Sequence, residues 1–166
     1  MGPLSGSSSG ADSAGARAWR ITAAVLAVAH GGWIWWLSSQ TFAGPGGKFW
    51  SFLSNSVHFA LFGALALLLL EVARKGRGWS RDALLGVLVL VATYGIVDEW
   101  HQNDVAGRTP DPFDVCVDLL GGVAAVSLWW GVRGPGRLLP ALGRATAVAL
   151  VALAFNAWRT WGPQLS

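Results

Sequence analysis

Five apolar stretches, each about 20 residues long, are spaced along this chain with only short polar segments between them. A helix of about 20 apolar residues is long enough to cross the roughly 30 Å hydrocarbon core of a bilayer. We place the stretches at residues 19–38, 54–73, 82–101, 114–132 and 141–160. Charged residues make up 13% of the chain, whereas about 25% is usual in a soluble domain. The sequence therefore predicts an all-α fold, a polytopic transmembrane bundle of five helices.

The segments outside these stretches are too short to form a separate soluble domain. Residues 1–16 are rich in Gly, Ser and Ala, and we expect them to form a disordered cytoplasmic tail. Residues 17–132 then form the main membrane domain, and residues 133–166 a basic loop followed by a C-terminal transmembrane helix. A cleavable signal peptide is the alternative for the first stretch, because Thr41-Phe42-Ala43 loosely resembles a cleavage site.

The basic residues are distributed unevenly between the two ends of the predicted helices. Lys48, Arg108 and Arg159 fall on one side. The other nine of the twelve fall on the opposite side: Arg17, Arg20, Arg74, Lys75, Arg77, Arg81, Arg133, Arg137 and Arg144. The positive-inside rule then places the N-terminus in the cytoplasm of a multi-pass plasma-membrane protein. Topology and attraction to membrane lipids account for the net charge of +3, so we expect no nucleic-acid binding.

Acidic residues are concentrated in one short part of the chain. Six of the nine lie between residues 98 and 118: Asp98, Glu99, Asp104, Asp111, Asp114 and Asp118. A carboxylate at the centre of a bilayer costs about 2.5–3.5 kcal/mol on insertion scales, so membrane proteins rarely keep one without a purpose. We therefore expect a functional site here. Asp104 and Asp111 are expected to be solvated loop acids.

The third and fourth predicted helices bring these acids to the outer face. On the third helix, which ends outside, Asp98 and Gln102 are four residues apart and share a face. Glu99 points about 100° away from Asp98, because successive helical residues diverge by that angle. The fourth helix starts outside with Asp114 and Asp118 one turn apart.

The first two helices add polar residues at the same face. The first ends there with Ser38-Ser39-Gln40, and the second begins there, with His58 within about a turn of the surface. Four helices therefore contribute to one predicted site. Its candidate ligand-binding residues are Ser39, Gln40, His58, Asp98, Glu99, Gln102, Arg108, Asp114 and Asp118.

Several residues also have purely structural interpretations. Asp114 could cap the fourth helix, Arg108 could reach toward lipid phosphates or pair with one acid, and His58 could be a hydrogen-bonded helix-end histidine. His30, in the middle of the first span, is expected to be structural or to face the lumen of the bundle.

Two further residues are interpreted as packing positions. The single cysteine, Cys116, is expected to be a small core residue of the fourth span. Gly121, four residues before Ala125, indicates close helix packing.

Taken in order, these polar residues resemble the VanZ-like family, small membrane proteins named for a member associated with resistance to the glycopeptide teicoplanin. The resemblance implies a core of four spans, so the fifth is additional here. The family often has an Asp-Lys pair where this chain has Ser54-Asn55, which removes a second cation near His58, and it usually has Asn at Asp118. The resemblance runs from Ser38 to Gly122 and rests on Ser38-Ser39-Gln40, His58-Phe59, Asp98-Glu99-x-x-Gln102, Gly107-Arg108, Asp114 and Gly121.

Clustered carboxylates need water, protons, cations or a bound ion to balance their charge. Oxygen ligands suit Ca²⁺ or Mg²⁺, and a set that includes His58 suits Zn²⁺ or Mn²⁺. The metal-ligand candidates are His58, Asp98, Glu99 and Asp114. No paired motif such as H-E-x-x-H is present, so a divalent cation is one option and no cofactor is certain. An outward pocket with Arg108 at its rim also suits an anionic lipid or cell-wall precursor head group.

Three functions remain open. The favoured one is a non-catalytic membrane protein that binds or shields an envelope lipid or cell-wall precursor head group, linked by the resemblance to teicoplanin-type glycopeptide resistance. The alternative is a membrane-embedded enzyme, with or without a metal, that acts on lipid head groups; Asp98, Glu99 and His58 are its catalytic candidates. The third is an ion or proton transporter, which the nearly apolar inner halves of the spans disfavour. The oligomeric state stays open.

Overall fold

The computed structural model describes residues 8–41, 47–74, 80–106, 108, 111–132 and 137–162. Within these ranges the chain forms five α-helices and no β-strand. Each helix is long and apolar enough to cross a membrane, which confirms the predicted all-α bundle of five spans. The helices are α1 (Ser8–Ser38), α2 (Lys48–Ala73), α3 (Arg81–Asn103), α4 (Pro112–Val132) and α5 (Leu138–Trp161).

The start of α2 differs from the prediction. The helix begins at Lys48 and not at residue 54, because the aromatic residues Phe49 and Trp50, which favour a membrane interface, continue it outward. His58 is therefore ten residues from the start of α2, or about 15 Å along its axis. His58 therefore lies farther from the start of its helix than the predicted start at residue 54 implied.

The start of α1 also differs. The structure corrects the predicted disordered tail for residues 8–16, which are helical and continuous with the first span. Ala14 and Ala16 favour a helix, and lengthening an existing helix avoids the cost of nucleating a new one. Residues 1–7 lie outside the described part of the chain. The other helix ends lie within three residues of their predicted positions.

Helices α2 and α4 form the centre of the bundle. They approach closely at Gly121, where an added Cβ would lie 2.2 Å from the carbonyl oxygen of Phe59 and 3.2 Å from the amide nitrogen of Gly63. No side chain fits in that space, so the predicted close packing at Gly121 is confirmed. Around this pair, α1 packs on α2 and α3, and α5 packs on α2 and α4.

One face of α4 is buried and the opposite face is not. The buried face carries Asp114, Val117, Asp118 and Gly121, at the spacing of three and four residues that one helix face requires. Cys116 lies off this face and is exposed. The prediction that Cys116 is a core residue is therefore wrong, since its side chain points toward the surroundings of the bundle.

Two hydrogen bonds join α1 to its neighbours within the apolar zone. The Nε2 of His30 donates to the carbonyl oxygen of Leu61 at 2.9 Å, and the hydroxyl of Tyr94 donates to the carbonyl oxygen of Gly31 at 2.6 Å. Because the bilayer core holds no water, polar groups there must be satisfied within the protein. The structural interpretation of His30 is therefore confirmed.

A second polar cluster, at the predicted cytoplasmic end, was not foreseen from the sequence. The indole Nε1 of Trp19 donates to Glu71 Oε2 at 2.9 Å, and the guanidinium of Arg74 lies 3.6 Å from the same oxygen. Arg20 Nε donates to the carbonyl oxygen of Val72 at 3.1 Å. These contacts fasten α1 to the end of α2 opposite the acidic cluster.

Candidate functional site

Asp98 joins the end of α1 to the end of α3. Its Oδ2 accepts from the hydroxyl of Ser38 at 2.8 Å and from Nε2 of Gln102 at 3.0 Å. The second bond confirms the predicted pairing of residues four apart on one helix face. Asp98 is 1% exposed, and its Oδ1 has no hydrogen-bond partner among the described residues.

Glu99 faces a different neighbour, as the 100° divergence from Asp98 predicts. Its Oε2 accepts from the backbone amide of Asp111 at 2.6 Å, which ties the end of α3 to the segment that leads into α4. Glu99 is 7% exposed, and its Oε1 has no hydrogen-bond partner within the described ranges. The two adjacent carboxylates therefore stabilise different contacts: Asp98 bonds the end of α1, and Glu99 bonds the segment before α4.

Asp111, and not Asp114, caps α4. The Oδ1 of Asp111 accepts from the amide of Phe113 at 3.0 Å, and Pro112 occupies the first helical position, where a missing amide hydrogen costs nothing. Asp114 lies inside the first turn of the helix. The alternative interpretation of Asp114 as the cap is therefore wrong, and so is the prediction that Asp111 is a solvated loop acid.

Arg159 of α5 is a site residue that sequence reasoning missed. Its Nη1 donates to Asp114 Oδ1 at 2.7 Å, and its Nη2 donates to Asp111 Oδ2. The guanidinium also lies 5.5 Å from the centre of the Phe113 ring. The sequence places Arg159 at the correct end of the bundle, but no local pattern relates it to acids more than 40 residues away.

Asp118 lies deeper, behind His58. Its Oδ1 is 3.3 Å from His58 Nδ1, although the angles are not those of a hydrogen bond and both Asp118 oxygens lack such a partner among the described residues. Asp118 is fully buried. A Cβ on Gly95 would come within 2.9 Å of Asp118 Oδ2, so glycine makes room for this carboxylate. A buried carboxylate is costly unless a partner balances it, and His58 is placed to do so.

Ser39 and Gln40 do not contact the acids through their side chains. The Ser39 hydroxyl donates to the carbonyl oxygen of Trp35 at 2.8 Å, so its single proton is used and His101 Nε2 must donate to Ser39 Oγ at 2.8 Å. The His101 ring stacks on Trp35 with centroids 3.8 Å apart. The side chain of Gln40 donates to the carbonyl oxygen of Trp36 at 3.1 Å.

Arg108 binds backbone carbonyls at the end of α1. Its Nη2 donates to the carbonyl oxygens of Leu37 at 3.3 Å and Gln40 at 3.1 Å, and its Nε also donates to Gln40 at 3.3 Å. A cation at this position complements the helix dipole. Within the described residues no carboxylate oxygen lies within 4.0 Å of Arg108, so its charge is not paired directly. Gly107, part of the same motif, lies outside the described residues.

A cavity of about 290 Å³ opens between α1 and α2 on this side of the bundle. Its polar wall contains Ser38, Ser54, His58 and Arg108. The remaining described lining is apolar: Leu37, Trp50, Leu53, Val57 and Leu61. Neither Asp98 nor Glu99 contributes to this lining. A concave site with an apolar wall and a few polar groups is the usual form of a small-molecule site.

Three acidic groups at this end lie beside a basic side chain. Asp111 and Asp114 both contact Arg159, and Asp118 Oδ1 lies 3.3 Å from His58 Nδ1. Among the described residues, no group of three or more His, Cys, Asp or Glu side chains is arranged to hold a metal ion. The described acids are thus balanced mainly by Arg159, His58 and hydrogen-bond donors.

The chain matches the model of a known protein family. The family model described as VanZ/LLP1 matches residues 12–133, which confirms the resemblance read from Ser38 to Gly122. The match contains all the acidic residues from Asp98 to Asp118, most of α1 and all of α2–α4, and it ends before α5. No curated protein and no solved structure matches the chain. This chain therefore belongs to the VanZ/LLP1 family and is a membrane protein of helical architecture.

Proposed function

We propose that this protein binds the anionic head group of an envelope lipid or cell-wall precursor in the cavity between α1 and α2. The observation that carries the proposal is the position of Arg108. Arg108 lines the cavity, and its guanidinium donates to the carbonyls of Leu37 and Gln40 without a carboxylate contact among the described residues. A guanidinium held in this way favours a phosphate or carboxylate ligand.

The remaining cavity wall supports an amphiphilic ligand. Leu53, Val57 and Leu61 are spaced by four residues and form one apolar strip along α2. A head group at Arg108 could thus be joined to an apolar chain that follows this strip into the bilayer. A soluble anion has no apolar chain to bury against this wall, so the hydrophobic effect adds nothing to its binding free energy.

The orientation belongs to the same proposal. We infer that the N-terminus is cytoplasmic and that the acidic cluster and cavity face outward from the plasma membrane, from the excess of basic residues at the opposite end. The test uses Ser51→Cys and Arg17→Cys, each in a Cys116→Ser background, since both positions are exposed. A membrane-impermeant maleimide should label the Ser51→Cys protein in right-side-out vesicles, and the Arg17→Cys protein only after permeabilisation. The reverse pattern means the opposite orientation.

Retention of a head group of this kind can shield a surface component from a large antibiotic. The proposed consequence is reduced access of a teicoplanin-type glycopeptide to its target, in keeping with family membership. A susceptible host that expresses the wild-type protein should then tolerate more teicoplanin than the same host with the Arg108→Gln variant. Equal tolerance at equal membrane levels of the two proteins would remove the link between the cavity and resistance.

The binding step itself is tested with mass spectrometry of the intact protein released from mild detergent. The wild-type protein should retain an anionic lipid or precursor, and Arg108→Gln should lose it. Arg144→Gln is the matched control, because Arg144 is exposed on α5 at the other end of the bundle and its replacement removes the same charge. Equal retention in all three proteins would refute a role for Arg108 in ligand binding.

One observation favours an enzyme as the second candidate. His58 lines the cavity and has Asp118 3.3 Å behind its Nδ1, an arrangement in which a carboxylate can orient an imidazole toward a substrate. Asp98 and Glu99, the other catalytic candidates, do not line this cavity. Release of the head group from lipids by purified wild-type protein, and its loss in His58→Gln, would favour this candidate over binding alone.

A further inference from the structure

We infer that the cavity between α1 and α2 selects a lipid whose head group is a phosphodiester with a single negative charge, over phosphomonoester and zwitterionic lipids. The inference rests on the proposed binding function and names its ligand class. It follows from the charged and ionisable residues that line the cavity, and from the residues that contact them on the side away from the cavity.

The described wall of the cavity carries a single permanent charge, which is positive. Within the described lining, Arg108 is the one residue with a permanent charge, and no Asp or Glu is present. Arg108 has five N–H donors, and its bonds to Leu37 and Gln40 use Nε and Nη2. The donors of Nη1 have no partner among the described residues, so they remain for an anion.

His58 does not add a second free positive charge. A positive charge on the His58 ring is compensated by the carboxylate of Asp118, whose Oδ1 lies 3.3 Å from Nδ1. Asp118 is fully buried, so this compensation takes place inside the protein and not at the cavity surface. The carboxylate of Asp114 is paired in the same way with Arg159, whose Nη1 donates to its Oδ1 at 2.7 Å. The described part of the cavity wall therefore presents one positive charge to a ligand.

A second cation is also missing from the α2 wall. Ser54 lines the cavity one turn before His58, and its hydroxyl makes no hydrogen bond to any described residue. A basic side chain at this position would stand beside Arg108's ligand and double the positive charge of the wall. Ser54 is neutral instead. It does not compensate a second negative charge on a ligand, and it does not repel a ligand that carries one negative charge.

Charge matching then separates the lipid classes. A phosphodiester carries one negative charge, which Arg108 balances. A phosphomonoester carries about 1.5–2 negative charges at neutral pH, so part of its negative charge would be buried without a positive partner. A zwitterionic lipid adds an ammonium group, which finds no carboxylate in the described lining. Burying an unbalanced charge in a low-dielectric site is costly, so the single anion is preferred.

The size of the cavity limits how much of the lipid it holds. Its volume of about 290 Å³ is at the lower end of the range for small-molecule sites, which begins near 300 Å³. Leu53 and Leu61 are eight residues apart, or about 12 Å along α2. The cavity therefore accommodates a head group and the first part of one acyl chain, and the rest of the lipid stays in the bilayer.

The test is a competition among three lipids with the same acyl chains. The full-length protein is equilibrated in micelles with equal amounts of phosphatidylglycerol, phosphatidic acid and phosphatidylethanolamine at pH 7.5, repurified, and its retained lipid is quantified by mass spectrometry. We expect phosphatidylglycerol to be enriched about tenfold over each of the other two lipids, which corresponds to a tenfold lower Kd. Arg108→Gln should abolish the enrichment, and Arg144→Gln should preserve it.

Two charge variants at Ser54 make the test independent of Arg108, whose removal also affects the end of α1. Ser54→Lys should shift the preference toward phosphatidic acid, because it adds the second positive charge. Ser54→Asp should remove the preference for anionic lipid, and Ser54→Ala should leave it as in the wild type. Unchanged lipid ratios in both charge variants would overturn the inference.

The outcomes separate the inference from the function on which it rests. Equal retention of phosphatidylglycerol and phosphatidic acid, both lost in Arg108→Gln, would overturn the single-charge selection and keep the anionic head-group site. Equal retention of all three lipids would overturn the selection and show that Arg108 does not discriminate by charge. Retention of no lipid above the level seen with Arg108→Gln would overturn both.

Discussion

Arg159 on α5 donates to Asp114 on α4 across 2.7 Å, and the same guanidinium bonds Asp111. The backbone amide of Asp111 in turn donates to Glu99 on α3 at 2.6 Å. The fifth helix lies beyond the residues that the family model matches, and yet it supplies the cation for two acids of the matched region. In this chain α5 therefore contributes a cation to the acidic residues at this end of the bundle and is not only an added span.

Replacing Arg159 by Ala should destabilise the bundle by about 3 kcal/mol, the lower end of the range for breaking a largely buried pair. The carboxylates of Asp111 and Asp114 would lose their shared cation. The free energy of unfolding in mixed micelles measures the effect. Arg144→Ala, which removes an exposed charge from the same helix, should change stability little. Equal losses in the two variants would mean that the ion pairs of Arg159 contribute nothing specific.

Replacing Gly121 by Ala should destabilise the contact of α2 with α4. The new Cβ would lie 2.2 Å from the carbonyl oxygen of Phe59, so the helices must separate, and overpacking of this kind costs about 1–3 kcal/mol. Gly86→Ala on α3 is the matched control, because no atom lies within 4 Å of its added Cβ, and alanine favours a helix. We expect a lower melting temperature for the first variant and an equal or higher one for the second.

Replacing Ser38 by Ala should remove one of the two hydrogen bonds to Asp98 Oδ2. A hydrogen bond to a charged group contributes about 1.5–3 kcal/mol, so a loss near 2 kcal/mol is expected. The exposed Ser51 offers the same change at the same face, and Ser51→Ala should leave stability unchanged. A similar melting temperature for both variants would contradict a structural role of the Ser38–Asp98 bond.

Glu99 offers a test that separates its charge from its hydrogen bond. Glu99→Gln keeps an oxygen that can accept from the amide of Asp111, and it removes a buried charge, which is costly to desolvate, so we expect unchanged or higher stability. Glu99→Leu removes the acceptor and leaves a partly buried amide unpaired, which costs about 1–3 kcal/mol. The difference between the two variants in unfolding free energy isolates the acceptor. Identical values would show that the bond to Asp111 is unimportant.

Periodicity along single helices predicted part of the acidic cluster correctly. Asp98 and Gln102 face the same way and are bonded, and Asp98 and Glu99 diverge toward different neighbours. These relationships depend only on the turn of one helix, about 100° per residue. The start of α2 was predicted wrongly because hydropathy alone does not locate a helix start among interfacial aromatic residues such as Phe49 and Trp50.

The pairing between helices could not be predicted in the same way. Ser38 and Asp98 are 60 residues apart, and Arg159 and Asp114 are 45 apart, so no local pattern links them. One interpretation of the sequence paired Arg108 with a single acid, whereas its guanidinium donates to the carbonyls of Leu37 and Gln40. Which partner a charged group meets depends on how each helix is rotated about its axis.

By itself the amino-acid sequence determined the number of spans, their approximate ends and the face of the bundle at which the acids gather. The bilayer imposes these features, because each crossing needs about 20 apolar residues whose backbone groups are bonded within the helix. The tertiary structure alone decided that Cys116 is exposed, that Asp118 stands behind His58 and that Arg159 joins the site. Close contacts such as that of Gly121 with Phe59 set the rotation and separation of the helices, and those contacts join residues far apart in the chain.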